Sequence, residues 1–190
     1  MVKTLYCIRH GLALHNVLFW EIGTDAYTKY NDTRLLEEGV EQAIQLGTTW
    51  KEIENVELVI VSPLSRTLST AYHIFKNKNI PMIAKDFLIE HPIGIETANK
   101  RKNITHLKKI FPDINFNFIK SNEPKWYNNK ETIDQLENRI QQMKDWILKR
   151  PEKTIAIVSH SSFIGQFKDK KMGDEQNELK HCFPYKITIE

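Results

Sequence analysis

Short apolar runs alternate along the chain with longer segments in which apolar residues recur at helical spacing. Valine and isoleucine occur on both faces of the short runs, which is typical of strands that are buried on both sides. Such strands belong to sheets that helices cover from both directions. The runs that predict strands are residues 4–8, 57–61, 80–84, 154–159 and 183–189.

Three segments between these runs have the periodicity of helices. Residues 37–50 and residues 132–149 place their apolar positions mainly on one face, as amphipathic helices do. A third helix is predicted to start at Ser62 and Pro63, because serine caps helices and proline is tolerated in the first turn. It is expected to continue to about residue 78.

Strands and helices that alternate in this way predict an α/β fold, a three-layer α/β/α sandwich with a mostly parallel sheet. We expect residues 1–190 to form a single domain. Residues 89–129 contain proline, asparagine and lysine without clear periodicity. We expect them to form a long excursion that covers the active-site end of the sheet, where ligands of parallel sheets bind.

Composition excludes several classes of protein. Of the 190 residues, 41% are hydrophobic and 27% are charged, which is typical of a globular domain and unlike disordered or coiled-coil chains. No apolar run is long enough to span a bilayer, and a formal net charge of +3 is too small to indicate nucleic acid. We therefore expect neither a membrane nor a nucleic-acid partner.

The start of the chain and the cysteines suggest a location. The first residues lack the apolar segment and cleavage site of a secretory signal. Cys7 and Cys182 lie far apart in the sequence and have no spacing typical of zinc ligands. We expect free thiols in a reducing, cytoplasmic setting.

Charged and imidazole side chains follow the predicted strands at the points where those strands end. Arg9 and His10 follow the first strand, Arg66 lies just after the second, and His160 follows the fourth. Glu90 follows another apolar run. Each of these residues alone is most often structural, but parallel strands end at the same edge of a sheet, so all five are expected to converge on one cavity.

The chemistry of such a cluster is that of phosphoryl groups. Guanidinium groups match phosphate oxygens in bidentate fashion, and an imidazole nitrogen can attack phosphorus to give a covalent phosphohistidine. Cationic side chains neutralise the phosphoryl oxygens, so we expect no cofactor. A nearby carboxyl group can protonate the leaving oxygen and later deprotonate water.

A metal site built from His10, His15 and His160 is the alternative interpretation of the same histidines. The spacing of His10 and His15 does not match that of helical ligand pairs, and no acidic cluster accompanies them. We therefore expect no metal.

Four segments resemble the motifs of a known family, in the expected order. Residues 5–11 (Leu-Tyr-Cys-Ile-Arg-His-Gly) resemble the signature of the histidine phosphatase superfamily, also called phosphoglycerate-mutase-like. Residues 61–71 resemble its S-P-L-x-R-T-x-x-T-A motif, residues 157–161 its third motif, and residues 36–43 its L-T-x-x-G-x-x-Q-A helix. The resemblance implies the fold of that superfamily.

The resemblance also implies roles for individual residues. His10 corresponds to the nucleophile, and Arg9, Arg66 and His160 correspond to the residues that hold the phosphoryl oxygens. Glu90 corresponds to the general acid and base. Because this acid lies in the most variable segment of the family, His91 and Glu96 remain alternatives for it.

A finer resemblance concerns one subgroup, which has R-H-G-x-x-x-H-N and C-D-K-R motifs. His15 and Asn16 match the first motif, and Lys100 and Arg101 match the end of the second. The resemblance implies that Asn16 contacts the phosphoryl group, and we predict that His15, Lys100 and Arg101 also contact the substrate. The basic stretch around residues 100–109 is either a solvated surface or an electrostatic funnel for a phosphorylated substrate.

Further positions match or depart from the family pattern. Glu131 fits an R-E-T/S motif of the subgroup, and residues 177–179 loosely resemble a late N-x-E segment. Leu36 stands where a capping threonine is usual, which is expected to affect stability more than chemistry. Asn99 replaces the aspartate of the C-D-K-R motif, which leaves the role of that loop open.

The sequence therefore predicts a metal-independent phosphatase that hydrolyses a small phosphorylated substrate and releases inorganic phosphate. One alternative is a phosphoglycerate-type mutase, although a chain of 190 residues has little room for the lid that would exclude water. A second alternative is a non-catalytic module that binds phosphate or a phosphoprotein. The sequence does not identify the leaving group.

Overall fold

Six strands form one sheet in a computed structural model, which describes residues 2–172 and 178–190. The strands are β1 (Lys3–Arg9), β2 (Leu58–Val61), β3 (Met82–Ala84), β4 (Ile114–Asn115), β5 (Thr154–Ser159) and β6 (Pro184–Ile189). Their order in the sheet is β4-β3-β2-β5-β1-β6. Neighbouring strands are parallel, except that β6 runs antiparallel to β1 at one edge.

Helices connect the strands and cover the sheet. Those in the described part of the chain are α1 (Leu14–Ile22), α2 (Asp25–Thr28), α3 (Glu37–Thr49), α4 (Ser65–Phe75), α5 (Ile104–Ile110), α6 (Ile133–Leu148) and α7 (Ser161–Asp169). Within residues 2–172 and 178–190, no helix has both the length and the apolar character needed to cross a membrane.

Alternate side chains of the strands point into two separate hydrophobic cores. On β1, Tyr6 and Ile8 lie in a core that includes residues of α3 and α4. Leu5 and Cys7 lie in a second core, which includes residues of α6 and α7. The sheet therefore lies between two layers of helices, and the predicted α/β fold with a mostly parallel sheet is confirmed.

Helix α4 begins three residues later than the sequence predicts. Ser62 does not cap it; Leu64 is the residue before its first turn, and its side chain makes no capping hydrogen bond. The cap is instead a distant carboxylate, because Asp32 accepts hydrogen bonds from the backbone N–H and the hydroxyl of Ser65, each at 2.7 Å. The prediction of a serine cap at Ser62 was wrong because the capping group comes from another loop.

Residues 89–129 are more regular than the sequence predicts. They contain α5, where Asn103 caps the helix by accepting from the backbone N–H of His106 at 2.9 Å. They also supply β4, which adds a parallel edge strand beside β3. Both elements are short, with seven and two residues, so neither shows a clear period in the sequence.

Helix α3 lacks a side-chain cap at its start, as its sequence suggests. Leu36 occupies the N-cap position with extended backbone, and no side-chain hydrogen bond is made there. Replacing Leu36 with threonine is expected to raise the free energy of unfolding by about 1 kcal/mol, because the hydroxyl can accept from the first turn. Leu36→Val is the matched control, since it has the shape of threonine without the hydroxyl. A threonine variant no more stable than the valine variant in urea denaturation would contradict this.

Candidate active site

The polar side chains that follow the strands converge at one edge of the sheet. In the parallel register of β1 and β5, Arg9 lies opposite Ser159, so His10 and His160 emerge side by side. Their ring centroids are 5.3 Å apart and their planes are inclined at 62°. Both rings are buried, as is Arg66 in the first turn of α4.

His10 is held in one tautomer by its neighbour. The carbonyl oxygen of Gly11 lies 2.7 Å from Nδ1 and can only accept, so Nδ1–H donates and Nε2 carries the lone pair. Helix α3 fixes this loop: a Cβ on Gly11 would lie 2.3 Å from the carbonyl oxygen of Gly39. Gln42 also accepts from the backbone N–H of Leu12 at 2.9 Å. The glycine and glutamine of the helix motif thus position the His10 loop.

The histidines of this cluster are neutral at neutral pH. Burial, followed by the charge of Arg66, lowers the pKa of His10 well below its usual value. The same two causes lower the pKa of His160. A neutral imidazole with a free lone pair on Nε2 is the nucleophilic form, and His10 has this form.

Arg66 is held by the turn of residues 97–99. Its Nη1 donates to the carbonyl of Ala98 at 2.7 Å, and its Nη2 donates to Oδ1 of Asn99 at 2.9 Å. Burial lowers the pKa of Arg66 to about 10, so the guanidinium remains charged at neutral pH. Asn99, whose loop had no assigned role in the sequence, therefore helps to position this arginine.

Arg9 is held from the opposite side by residues that precede β6. Its Nη1 donates to the carboxylate of Glu178 and to the carbonyl of Leu179, each at 2.6 Å. The guanidinium is buried, whereas the Glu178 side chain is 58% exposed and so faces the solvent. Asn177, the first residue of the predicted N-x-E segment, lies outside the described residues.

Three buried nitrogen atoms around His10 have no hydrogen-bond partner within residues 2–172 and 178–190. They are Nε of Arg9, Nε of Arg66 and Nδ1 of His160. The other nitrogen of His160, Nε2, lies 2.8 Å from Oγ of Ser62. An unpaired buried polar group costs about 1–3 kcal/mol, so such groups are rare unless a ligand satisfies them. The arrangement suits an anion with several oxygen atoms.

Two further histidines lie against His10. The structure brings His15 to a centroid distance of 5.6 Å, and its Nδ1 is 2.6 Å from Oγ1 of Thr33. His181 is also 5.6 Å away, and its Nδ1 donates to the carbonyl of His10 at 2.6 Å. The sequence analysis missed His181 because it reaches the site through an isolated parallel bridge to Arg9, just before β6 begins.

Glu90 lies at the start of α7, next to His160. Its Oε1 accepts from the backbone N–H groups of His91 and Phe163 at 2.8 and 3.0 Å, and its Oε2 accepts from that of Ser162 at 3.1 Å. Because His160 is the N-cap residue of α7, the Glu90 carboxyl group is held against the turn that follows His160.

The two alternatives to Glu90 have different surroundings. The ring of His91 is turned toward Glu131, with Nδ1 3.1 Å from the carboxylate. Glu96 accepts from Nδ2 of Asn99 at 3.2 Å. Burial and the nearby charge of Glu90 raise the pKa of Glu96 to about 7.

Two of the predicted substrate-binding residues, Asn16 and Lys100, contact other parts of the protein. Asn16 caps α1, since its Oδ1 accepts from the N–H of Ala13 at 2.9 Å. Lys100 places its ammonium group 5.3 Å from the centre of the Trp126 ring. Their contacts with a substrate stay predictions.

Arg101 contradicts the sequence prediction. It is buried, and its Nε donates to Asp86 at 2.9 Å. Its remaining donors are taken by Asp86 and by backbone carbonyls, those of Lys102, Ser121, Asn122 and Glu123. No donor is left for a substrate, so Arg101 is a structural residue that fastens the segment of residues 121–123.

In the described part of the chain, no group of three or more His, Cys, Asp or Glu side chains is arranged to hold a metal ion.

Comparison with known proteins identifies the family. The model of the histidine phosphatase superfamily (branch 1) matches residues 5–184. Phosphoglycerate mutase-like protein 1 of Arabidopsis thaliana is 29% identical over 205 residues, which cover 85% of this chain and 69% of that protein. A probable phosphatase of Schizosaccharomyces pombe is 29% identical over 175 residues, covering 87% of this chain and 77% of its own.

A solved structure supports the fold. The phosphoglycerate mutase from Bacillus anthracis superposes with a TM-score of 0.64 at 21% identity, over 100% of this chain and 88% of that protein. The family match extends over nearly the whole sequence and includes the segments that carry Arg9, His10, Arg66 and His160. The chain therefore belongs to branch 1 of the histidine phosphatase superfamily.

Proposed function

We propose that this protein hydrolyses phosphomonoesters in two steps, through a covalent phosphohistidine at His10 and without a metal ion. The observation that carries the proposal is the set of buried nitrogens of Arg9, Arg66 and His160 that have no partner among the described residues and that lie around Nε2 of His10. A phosphoryl group would supply oxygen acceptors for all three nitrogens, and the guanidinium groups would balance its charge.

In the first step, Nε2 of His10 attacks phosphorus in line with the ester oxygen. The bond between phosphorus and the ester oxygen breaks, and its electron pair moves to that oxygen. The Glu90 carboxyl group supplies the proton, so a neutral alcohol leaves. Arg9 and Arg66 neutralise the charge on the phosphoryl oxygens, and Asn16 contributes an amide donor.

In the second step, water attacks the phosphorus atom of the phosphohistidine. The Glu90 carboxylate accepts a proton from that water, and the electron pair of the P–N bond returns to Nε2. Inorganic phosphate then leaves, and His10 is again neutral. The hydroxyl of Ser62 donates to Nε2 of His160, which leaves Nδ1–H of His160 to bind a phosphoryl oxygen in both steps.

Hydrolysis of p-nitrophenyl phosphate in excess chelator tests this function. Turnover is expected to be the same with and without chelator, because the positive charge at the site comes from arginines. Loss of activity on chelation would contradict the metal-independent mechanism. Phosphate binding without turnover would favour the binding module, and transfer to a phosphoglycerate without release of phosphate would favour the mutase.

Glu90→Gln is expected to separate substrates by their leaving groups. For alkyl phosphates kcat/KM should fall by about 10²–10⁴, because a poor leaving group needs the proton in the first step. For p-nitrophenyl phosphate the decrease in kcat/KM should be much smaller, since nitrophenolate leaves unprotonated, whereas kcat falls for both substrates because Glu90 also accepts the proton of the attacking water. The amide oxygen of glutamine still accepts from the α7 backbone, so the fold is retained. Wild-type kinetics on every substrate would exclude Glu90 and make Glu96 or His91 the candidate acid.

A further inference from the structure

Three carboxylates border the phosphoryl-binding groups. Glu178 is bonded directly to Arg9 at 2.6 Å. Glu96 accepts from Asn99, which in turn accepts from Arg66. The third, Glu90, accepts from backbone N–H groups that follow His160. Arg9 and Arg66 therefore each have a carboxylate within one or two hydrogen bonds, and a third carboxylate lies against the backbone that follows His160.

The three carboxylates are all close to one aromatic residue. Burial raises the pKa of the Tyr27 phenol. The negative charges of Glu96, Glu90 and, less strongly, Glu178 raise it further. The Tyr27 ring lies 5.5 Å from that of His15, which is 5.6 Å from that of His10. Tyr27 therefore lies one ring away from the nucleophile, on the side that we assign to the alcohol part of a phosphomonoester.

Aromatic surface adds to this region. The ring of Phe19 lies 5.7 Å from that of Tyr27, so the two rings form one wall. Aromatic faces attract ammonium groups through their quadrupole. The same faces also accept apolar carbon, so the wall alone favours cationic and neutral groups over anionic ones.

Basic side chains do little to offset the acidic character of this region. The Arg101 donors are all engaged, and the ammonium group of Lys100 lies over Trp126. The charged and titratable groups that act on Glu96 are Glu90, Lys130, His91 and Arg66. Of these, Lys130 is exposed to solvent, and Arg66 would pair with the phosphoryl group of the substrate.

We propose that this acidic, aromatic rim, formed by Glu96, Glu178 and Tyr27 beside the general acid Glu90, selects phosphomonoesters whose alcohol carries an amine over those whose alcohol carries a carboxylate. The proposal rests on the phosphatase function above and names the substrate class of the same site. An ammonium group would lie among carboxylates and aromatic faces, whereas a substrate carboxylate would be repelled there. Neutral alcohols should lie between the two.

Inhibition of p-nitrophenyl phosphate hydrolysis by three two-carbon phosphates tests the proposal. The probes are 2-aminoethyl phosphate, 2-hydroxyethyl phosphate and phosphoglycolate, which differ mainly in the charge of the terminal group. At about pH 8 Glu96 is ionised, the probe amine is protonated and the probe carboxylate is charged. Inhibition constants should rise in the order amine, hydroxyl, carboxylate, with about tenfold or more between the first and the last.

Glu96→Gln provides the variant arm, and Glu41→Gln is its control because Glu41 is an exposed carboxylate on α3. The first variant should lower the ratio of the carboxylate inhibition constant to the amine inhibition constant several-fold, and the second should leave this ratio unchanged. The proposal would be overturned if Glu96→Gln left the ratio of inhibition constants unchanged. It would also be overturned if phosphoglycolate bound as tightly as 2-aminoethyl phosphate. If p-nitrophenyl phosphate is hydrolysed in those experiments, only the substrate class fails; if it is not hydrolysed, the phosphatase function itself fails.

Discussion

Replacing His10 with alanine is expected to lower kcat for p-nitrophenyl phosphate by about 10⁴-fold or more. The variant lacks the Nε2 lone pair that forms the bond to phosphorus. His15 and His181 lie beside His10, so mapping the phosphorylated residue shows whether either of them replaces it. Steady-state kinetics on the folded variant measure the loss.

A matched substitution of a histidine outside the site shows whether the loss of kcat is specific to His10. His106 is an exposed histidine on α5, so His106→Ala should retain wild-type kcat. Circular dichroism of both variants checks that each is folded. If folded His10→Ala retained a tenth of wild-type kcat, His10 would not be the nucleophile.

Replacing Glu131 with glutamine is expected to lower the free energy of unfolding by about 3–5 kcal/mol. Arg139 donates to both oxygens of the Glu131 carboxylate, at 2.6 and 2.7 Å, and both side chains are buried. The glutamine variant would leave the charge of Arg139 buried without its partner. Since Arg139 also donates to the carbonyl of Ile89 at 2.7 Å, the same pair holds the segment that carries Glu90. Urea denaturation measures the change.

The contribution of this ion pair should depend on pH. Burial opposes ionisation of Glu131, but hydrogen bonds from His91 and Arg139 outweigh it and lower the pKa of the carboxyl group. A lowered pKa in the folded state adds stability above the pKa of the unfolded carboxyl, and this stability is lost as the pH falls through the folded pKa. The difference between wild type and Glu131→Gln should therefore be largest near neutral pH and shrink below about pH 4.

The exposed ion pair of Asp25 and Lys29 offers a control for Glu131→Gln. Both side chains are largely solvated, so Asp25→Asn should cause no measurable change in stability. A Glu131→Gln protein as stable as Asp25→Asn would contradict the anchoring role of Glu131.

The strands and the residues at their ends were predictable because a few simple constraints determine them. A strand buried on both faces needs a continuous apolar run, and the residue after the run must lie at the edge of the sheet. Parallel register then brings His10 and His160 together without any further information. This is why the sequence could place these imidazoles in one cluster.

Other features depend on contacts between distant segments. The start of α4 is set by Asp32, which lies 33 residues before Ser65. His181 is brought to His10 by an isolated bridge with Arg9, and Glu178, in the same segment before β6, forms an ion pair with Arg9. Since no local pattern encodes such contacts, the sequence could not reveal them.

Charge alone also misled the sequence analysis at Arg101. A basic run suggests a surface that attracts phosphate, but this guanidinium is buried and satisfied by Asp86 and backbone carbonyls. Helix α1 escaped prediction for a related reason: its apolar side chains do not follow one buried face, and Trp20 is 79% exposed. Burial, which decides both cases, is a property of the folded chain.

The most direct test of the central claim is to trap the phosphoenzyme and map its modified residue. The enzyme is mixed with a phosphomonoester, quenched in alkali within one turnover, digested and examined by mass spectrometry. The account predicts a base-stable, acid-labile phosphate on His10 that forms at least as fast as product is released and is absent from His10→Ala. Phosphate on another residue, or turnover that proceeds with no phosphoenzyme at any time, would contradict it.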